Sequence, residues 1–106
     1  MTKNKQNRSK TDRWVIVCTD EKKKGVFYGK LIEFNRKEDY VILENARMII
    51  YWCEEVRGVL GLAKVGAIKG CRVSSTVPRI ELNGISAIID TTPEAQKTFE
   101  KETIWD

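Results

Sequence analysis

Residues 40–52 read YVILENARMIIYW, and this stretch decides the fold. Tyr, Val and Ile crowd both ends, the residue types that fit a pleated, half-buried surface. The middle, Glu44–Ala46, carries no large apolar side chain and predicts a kink between two strand halves. In the second half the period of two puts Met48, Ile50 and Trp52 on one face and Ile49 and Tyr51 on the other. Both faces are largely apolar, which predicts a strand that is central or covered on both sides.

Upstream, RWVIVCT from Arg13 and GVFYGKLIEF from Gly25 read as two further strands. Gly29 inside the second predicts a bulge or a close backbone approach. DEKKKG and NRKED are charged turns of hairpin length. Downstream, EEVRGVLGLAKVG predicts a short helical insert with Val56, Val59, Leu60 and Ala63 on its apolar face. Gly58 and Gly61 weaken that helix and Gly66 suits its end. Pro78 confines GCRVSSTVPRIELNG to an edge or irregular strand. Asn83-Gly84 predicts a tight turn into a last strand, ISAIIDT. Thr92, Pro93 and Glu94 form a helix start of N-cap, N1 proline and first-turn acid, with Thr91 and Glu94 as an alternative capping box. That helix is expected from about Pro93 to Lys101, with Ile104 and Trp105 as packing residues after it.

The chain has 106 residues, 42% hydrophobic and 32% charged. This predicts a disordered basic tail, 1–12, and one β-rich domain, 13–106. The fold class expected is mainly β with minor α. The short connections predict a small antiparallel curled sheet, or an open SH3-like or Sm-like barrel, with a short helical insert and a C-terminal helix. No apolar run is long enough for a membrane span and the polar N-terminus is no secretory signal, so a cytoplasmic protein is expected.

The pattern resembles a family of small proteins encoded by tailed phages and prophages. The resemblance rests on G-V-F-x-G-x-L at Gly25–Leu31 and N-A-R-x-x-x-Y-W at Asn45–Trp52. Gly70-Cys71-Arg72 and A-I-I-x-x-T-x-E-A at Ala87–Ala95 extend it over residues 14–96. It implies a phage origin, hence the cytoplasm of a host cell, and it carries over no catalytic residue.

The net charge is +4, all of it from Lys3, Lys5, Arg8, Lys10 and Arg13 against Asp12; the remainder balances. A neutral body lacks the basic face expected of a nucleic-acid-binding domain, although the tail can touch phosphates without sequence preference. The chain has no histidine, which removes Ser-His-Asp and Cys-His nucleophile systems and histidine metal sites. Phosphate-loop glycine motifs are absent as well. Glu38-Asp39 and Glu54-Glu55 are adjacent pairs that point to opposite faces of an extended chain. No catalytic residue, metal or cofactor is expected, and the protein is not expected to be an enzyme. Cys18, Cys53 and Cys71 are odd in number and widely spaced, which argues against a disulfide framework and for buried thiols in a reducing compartment.

The candidate ligand-binding residues are Arg47, Tyr51, Trp52, Lys69, Arg72, Ser74 and Ser75. A guanidinium beside an aromatic suits a planar or phosphorylated ligand, although Arg47 can equally bridge to Glu44 or to an acid on another strand. Glycine, cations and hydroxyls in residues 69–76 can hold phosphate, and ordinary polar loops share that composition. Three functions follow. The first is sequestration of a small anionic nucleotide, such as a host immune signal. The second is a nucleic-acid-binding accessory role through the tail. The third is a structural or partner-binding role in which the aromatic strand forms an oligomer interface. The sequence favours the first, in a homo-oligomer, because a nucleotide pocket is easier to build between subunits than inside so small a domain.

Overall fold

The computed structural model describes residues 12–20, 25–68 and 70–101. Six strands, β1 (Arg13–Thr19), β2 (Val26–Asn35), β3 (Tyr40–Tyr51), β4 (Arg72–Val73), β5 (Val77–Asn83) and β6 (Ile85–Asp90), make one antiparallel sheet. Two helices accompany it, α1 (Gly58–Val65) and α2 (Pro93–Glu100), with a 3-10 turn at Glu54–Val56 before α1. The sheet order is β4–β3–β2–β1–β6, and β5 also pairs β3. The expected curled antiparallel sheet with a helical insert and a closing helix is the fold found. Among the described residues no helix is long and apolar enough to cross a membrane.

The alternation of β1 explains the two-sided core. Val15 and Val17 point to one face and Ile16 to the other, and all three are fully buried. On the Ile16 side lie Tyr28, Ile49 and Val73, capped by Val56, Leu62, Ala63, Ala95 and Phe99 from the helical segments. On the Val15 side lie Val41, Leu43 and Ala46, with Phe27, Leu31, Phe34, Ile80, Leu82, Ile85 and Ile88 against them. Every residue of that second cluster belongs to a strand. What covers it is therefore the sheet itself, curled over its own inner face.

Two irregularities produce the curl. Tyr28 pairs Arg47 and Lys30 pairs Glu44, so Gly29 faces two residues of β3, and Asn45 turns into the left-handed region at φ 50°. This is the kink expected at Glu44–Ala46. A Cβ on Gly29 would sit 3.0 Å from Leu43 Cβ and 3.2 Å from the Glu44 carbonyl, the close approach its glycine implied. Farther along, Leu31 pairs Leu43 and Glu33 pairs Ile42, so Ile32 bulges from β2.

The curl stops short of a barrel. β5 pairs β3 and β6 pairs β1, but no ladder joins β5 to β6. Asn83-Gly84 is accordingly a corner and not the turn of a paired hairpin. The Asp39 carboxylate accepts from the backbone N–H groups of Gly84 and Ile85, both at 2.9 Å, and fixes that corner. The expected cover on both faces of β3 is also only half realised. Val41 and Leu43 are fully buried, whereas Met48 and Ile50 are exposed. β5 pairs β3 as far as Ala46, and β4 begins only at Ile49. Between them only Ser74 bonds to β3, at Met48.

The helices follow their local signals. Gly66 ends α1 at φ 85°, donating its N–H to the Leu62 carbonyl. The apolar face expected for the insert is corrected in one place: Leu62 and Ala63 are buried, but Leu60 points outward. The cause is the 3-10 turn and the left-handed Arg57, which reset the helical phase after Val56. Thr92 is the N-cap of α2, its Oγ1 accepting from Ala95 N at 3.0 Å and donating to the Lys64 carbonyl at 2.6 Å. Thr91 instead donates to the Trp14 carbonyl. Thr92→Ala loses the cap and the bond between helices together. It should lower stability by about 1–2 kcal/mol in chemical denaturation.

Candidate functional site

Arg47 stands where β3 runs on past the Asn45 bulge, and it points under α2. It is 3% exposed. Nε donates to the Ser74 carbonyl at 2.8 Å, and Nη1 donates to the carbonyls of Phe99 at 2.7 Å and Lys101 at 2.8 Å. The last two are carbonyls at the end of α2, which the helix itself leaves without partners. A cation there also meets the negative end of the helix dipole. Arg47 thus ties β3, the β4–β5 connection and the end of α2 to one point. Tyr28 pairs Arg47 across the ladder and stacks on Phe99 at 4.1 Å and on Trp14 at 5.5 Å. Burial, with the nearby Glu100 carboxylate, pushes the Tyr28 hydroxyl far above its ordinary range; Arg47 opposes this in part.

The other candidates divide. Tyr51 and Arg72 are directly opposite on β3 and β4, and both are exposed. Trp52 is half-buried against the helical core. Ser74 continues the β3–β4 pairing: its N–H donates to the Met48 carbonyl at 2.9 Å and its Oγ accepts from Met48 N at 2.8 Å. That hydroxyl also donates to the Ser75 carbonyl at 3.0 Å. Ser75 is exposed. Lys69 lies outside the described residues, as do Ile104, Trp105 and the basic stretch 1–12 except Asp12. The structure therefore gathers Tyr51 and Arg72 at one surface, while it engages Arg47 and Ser74 in holding the chain together.

Clefts surround this region without enclosing a volume. One of about 330 Å³ runs between the end of α2 and the segment before β4, touching Arg47, Cys71, Thr98 and Lys101. Another, about 280 Å³, opens beside Met48 and is lined by Phe27, Ala46, Val77 and Ile80. Among the described residues no three metal-ligating side chains cluster. The surface at the end of β3 is mainly apolar. Met48 is 40% exposed, Ile50 50% and Tyr51 54%, with Val77 at 44% across the gap between β4 and β5.

The matched sequence takes in this whole region: a family model described as a domain of unknown function, DUF6948, matches residues 12–99. The chain belongs to the DUF6948 family. No curated protein and no solved structure matches it. The match runs from the residue before β1 into the last turn of α2, so Arg47 and its Ser74 and Phe99 acceptors lie within the matched DUF6948 residues, and Lys101 lies just beyond them.

The apolar surface of this DUF6948 domain escapes a reading of residue types alone. Met48 and Ile50 alternate with Arg47 and Ile49 as a strand with one open face should. What marks them as surface is that little packs over their face of the sheet, and the apolar run does not encode that.

Proposed function

We propose that this DUF6948 domain is a non-enzymatic binding module that pairs with a second copy of itself through the end of β3. The observation that carries the reading is the exposure of Met48 and Ile50 on one face of β3, with Val77 beside Met48 and with Tyr51 exposed at the strand end. Large apolar side chains left in water favour burial against a partner. The chemistry suits a two-fold contact, in which the same patch meets itself. Tyr51 offers a ring face and its ladder neighbour Arg72 a cation, so each copy supplies what the other can use. Aromatic and arginine side chains around an apolar centre are what interface centres favour.

Sedimentation of the full chain over a range of concentrations tests this. The wild type should be a dimer, and Ile50→Asp should weaken the dissociation constant at least about tenfold while the melting temperature extrapolated to low concentration stays put. A wild type that sediments as a monomer throughout would sink the reading.

A second reading, sequestration of a small anionic nucleotide, is favoured by one observation: the Tyr51–Arg72 pair itself, a stacking surface beside a phosphate-binding cation. Arg72→Ala should then weaken nucleotide binding by about ten- to a hundredfold, the worth of one charge-assisted hydrogen bond. Arg47 would act there only by holding the surface in shape.

A further inference from the structure

Cys53 and Cys71 lie 18 positions apart and share no motif, yet the topology brings them side by side. Tyr51 pairs Arg72 at the end of the β3–β4 ladder. Following the antiparallel register outward carries Cys53 to Gly70, diagonal to Cys71. The Gly70 backbone confirms the approach: a Cβ built there would sit 3.3 Å from Cys53 Cβ and 3.5 Å from Cys53 Sγ. Both cysteines pack against the same helical core cluster, so both thiols lie on the same side of the chain. Both are half-buried, within reach of a small reagent. Burial pushes the Cys53 thiol up, as do a hydrogen bond with the Glu55 side chain and, less, the charge of Cys71 close by; the Val56 and Glu55 backbone N–H groups partly offset this. The electrostatic influence of one sulfur on the other is a second sign of their proximity.

We propose that Cys53 and Cys71 are a thiol pair that forms a reversible intramolecular disulfide. Such a bond needs Cβ atoms about 3.8 Å apart; the backbone of Gly70, the residue before Cys71, passes close against Cys53, so closing the bond takes only a local adjustment at the Gly70 turn, which is at φ 100°. The oxidant is a low-molecular-weight disulfide such as oxidised glutathione. One protein thiolate attacks a glutathione sulfur, forming a mixed disulfide and releasing one glutathione thiolate. The second protein thiolate attacks the protein sulfur of that mixed disulfide, closes the Cys53–Cys71 bond and releases the second glutathione. The protein loses two electrons and two protons, and one glutathione disulfide becomes two thiols. The closed bond clamps the 3-10 turn and α1, which lie between the two cysteines, onto the strand ends beneath Tyr51 and Arg72. The proposal does not depend on self-association.

The test is equilibration of the full chain with reduced and oxidised glutathione, alkylation of remaining thiols, tryptic digestion without reductant, and mass spectrometry. Cleavage after Arg47, Arg57, Lys69 and Arg72 leaves Cys53 in peptide 48–57 and Cys71 in peptide 70–72, while Cys18 falls in a third that begins at Trp14. The linked 48–57/70–72 product should exceed the glutathione adducts at either cysteine by about tenfold, with Cys18 recovered alkylated. Cys53→Ser and Cys71→Ser should each stop at a mixed disulfide on the remaining member of the pair. Persistent adducts at both cysteines without linkage, or a linkage through Cys18, would overturn the proposal. The wild-type digest decides this even if a serine variant fails to fold.

Discussion

Arg47→Met should cost about 3–5 kcal/mol of stability, because three charge-assisted hydrogen bonds are lost and their buried carbonyl acceptors are left unpaired. Three carbonyls, of Ser74, Phe99 and Lys101, then lose the donor that satisfies them. Water cannot replace a side chain that is 3% exposed without opening the junction. For a domain of this size the melting temperature should fall by about 15 °C or more. Arg47→Lys should recover only part of the loss, because one ammonium cannot present a fork to acceptors on two sides. Arg72→Ala, at an exposed site, should cost much less than Arg47→Met. Thermal melts of the three variants side by side separate a structural arginine from a ligand-gripping one. If Arg47→Met melted with the wild type, the junction would not be what holds α2 to the sheet.

Gly61→Ala should destabilise the protein by about 3 kcal/mol, the upper part of the usual range for overpacking. Helix propensity alone argues the reverse, since alanine is favoured over glycine inside a helix by about 1 kcal/mol. Sterics decide. A Cβ on Gly61 would fall 1.5 Å from the Val56 carbonyl oxygen and 2.6 Å from its carbon. Those are backbone atoms of the 3-10 turn, held by the fully packed Val56 side chain beneath. The turn and α1 must separate to admit a methyl group. Gly58→Ala is the matched control: at φ 80° it is strained, but nothing lies within 4 Å of its Cβ, so its cost should be smaller. Equal effects of the two substitutions in urea titration would count against the close passage of α1 over the turn.

Local features were legible in the sequence because their causes are local. Thr92 caps α2 and Gly66 stops α1 through atoms within four residues of each. The Gly29 approach and the Glu44–Ala46 kink were also readable, as a glycine and a polar break within apolar strands. Arg47 was legible as unusual, and a bridging role was among its readings, but its acceptors were not legible. Its acceptors are backbone carbonyls 27, 52 and 54 positions away, and a carbonyl looks the same in every residue. The expected acidic partner, Glu44, instead faces Lys30 and Arg79 across the sheet. Asn83-Gly84 has the composition of a hairpin turn, and Asp39 makes it a corner from 45 positions upstream. The exposure of Met48 and Ile50 depends on what packs over that face of β3, a property of the assembled sheet.

The ladder between β1 and β6 joins the two ends of the fold, and Thr91 bonds the Trp14 carbonyl 77 positions away. Such long-range closure is slow, because the chain entropy of the loop is lost before any contact rewards it. The β1–β2–β3 meander, linked by short turns, has no such barrier and forms from neighbours in sequence. On a ribosome, then, the first three strands emerge with Ile16 and Tyr28 facing water. They wait for α2 to supply Ala95 and Phe99. During synthesis the edge of β1 that β6 will later occupy is an open template for other chains, and it is in that interval that the protein is most vulnerable to aggregation.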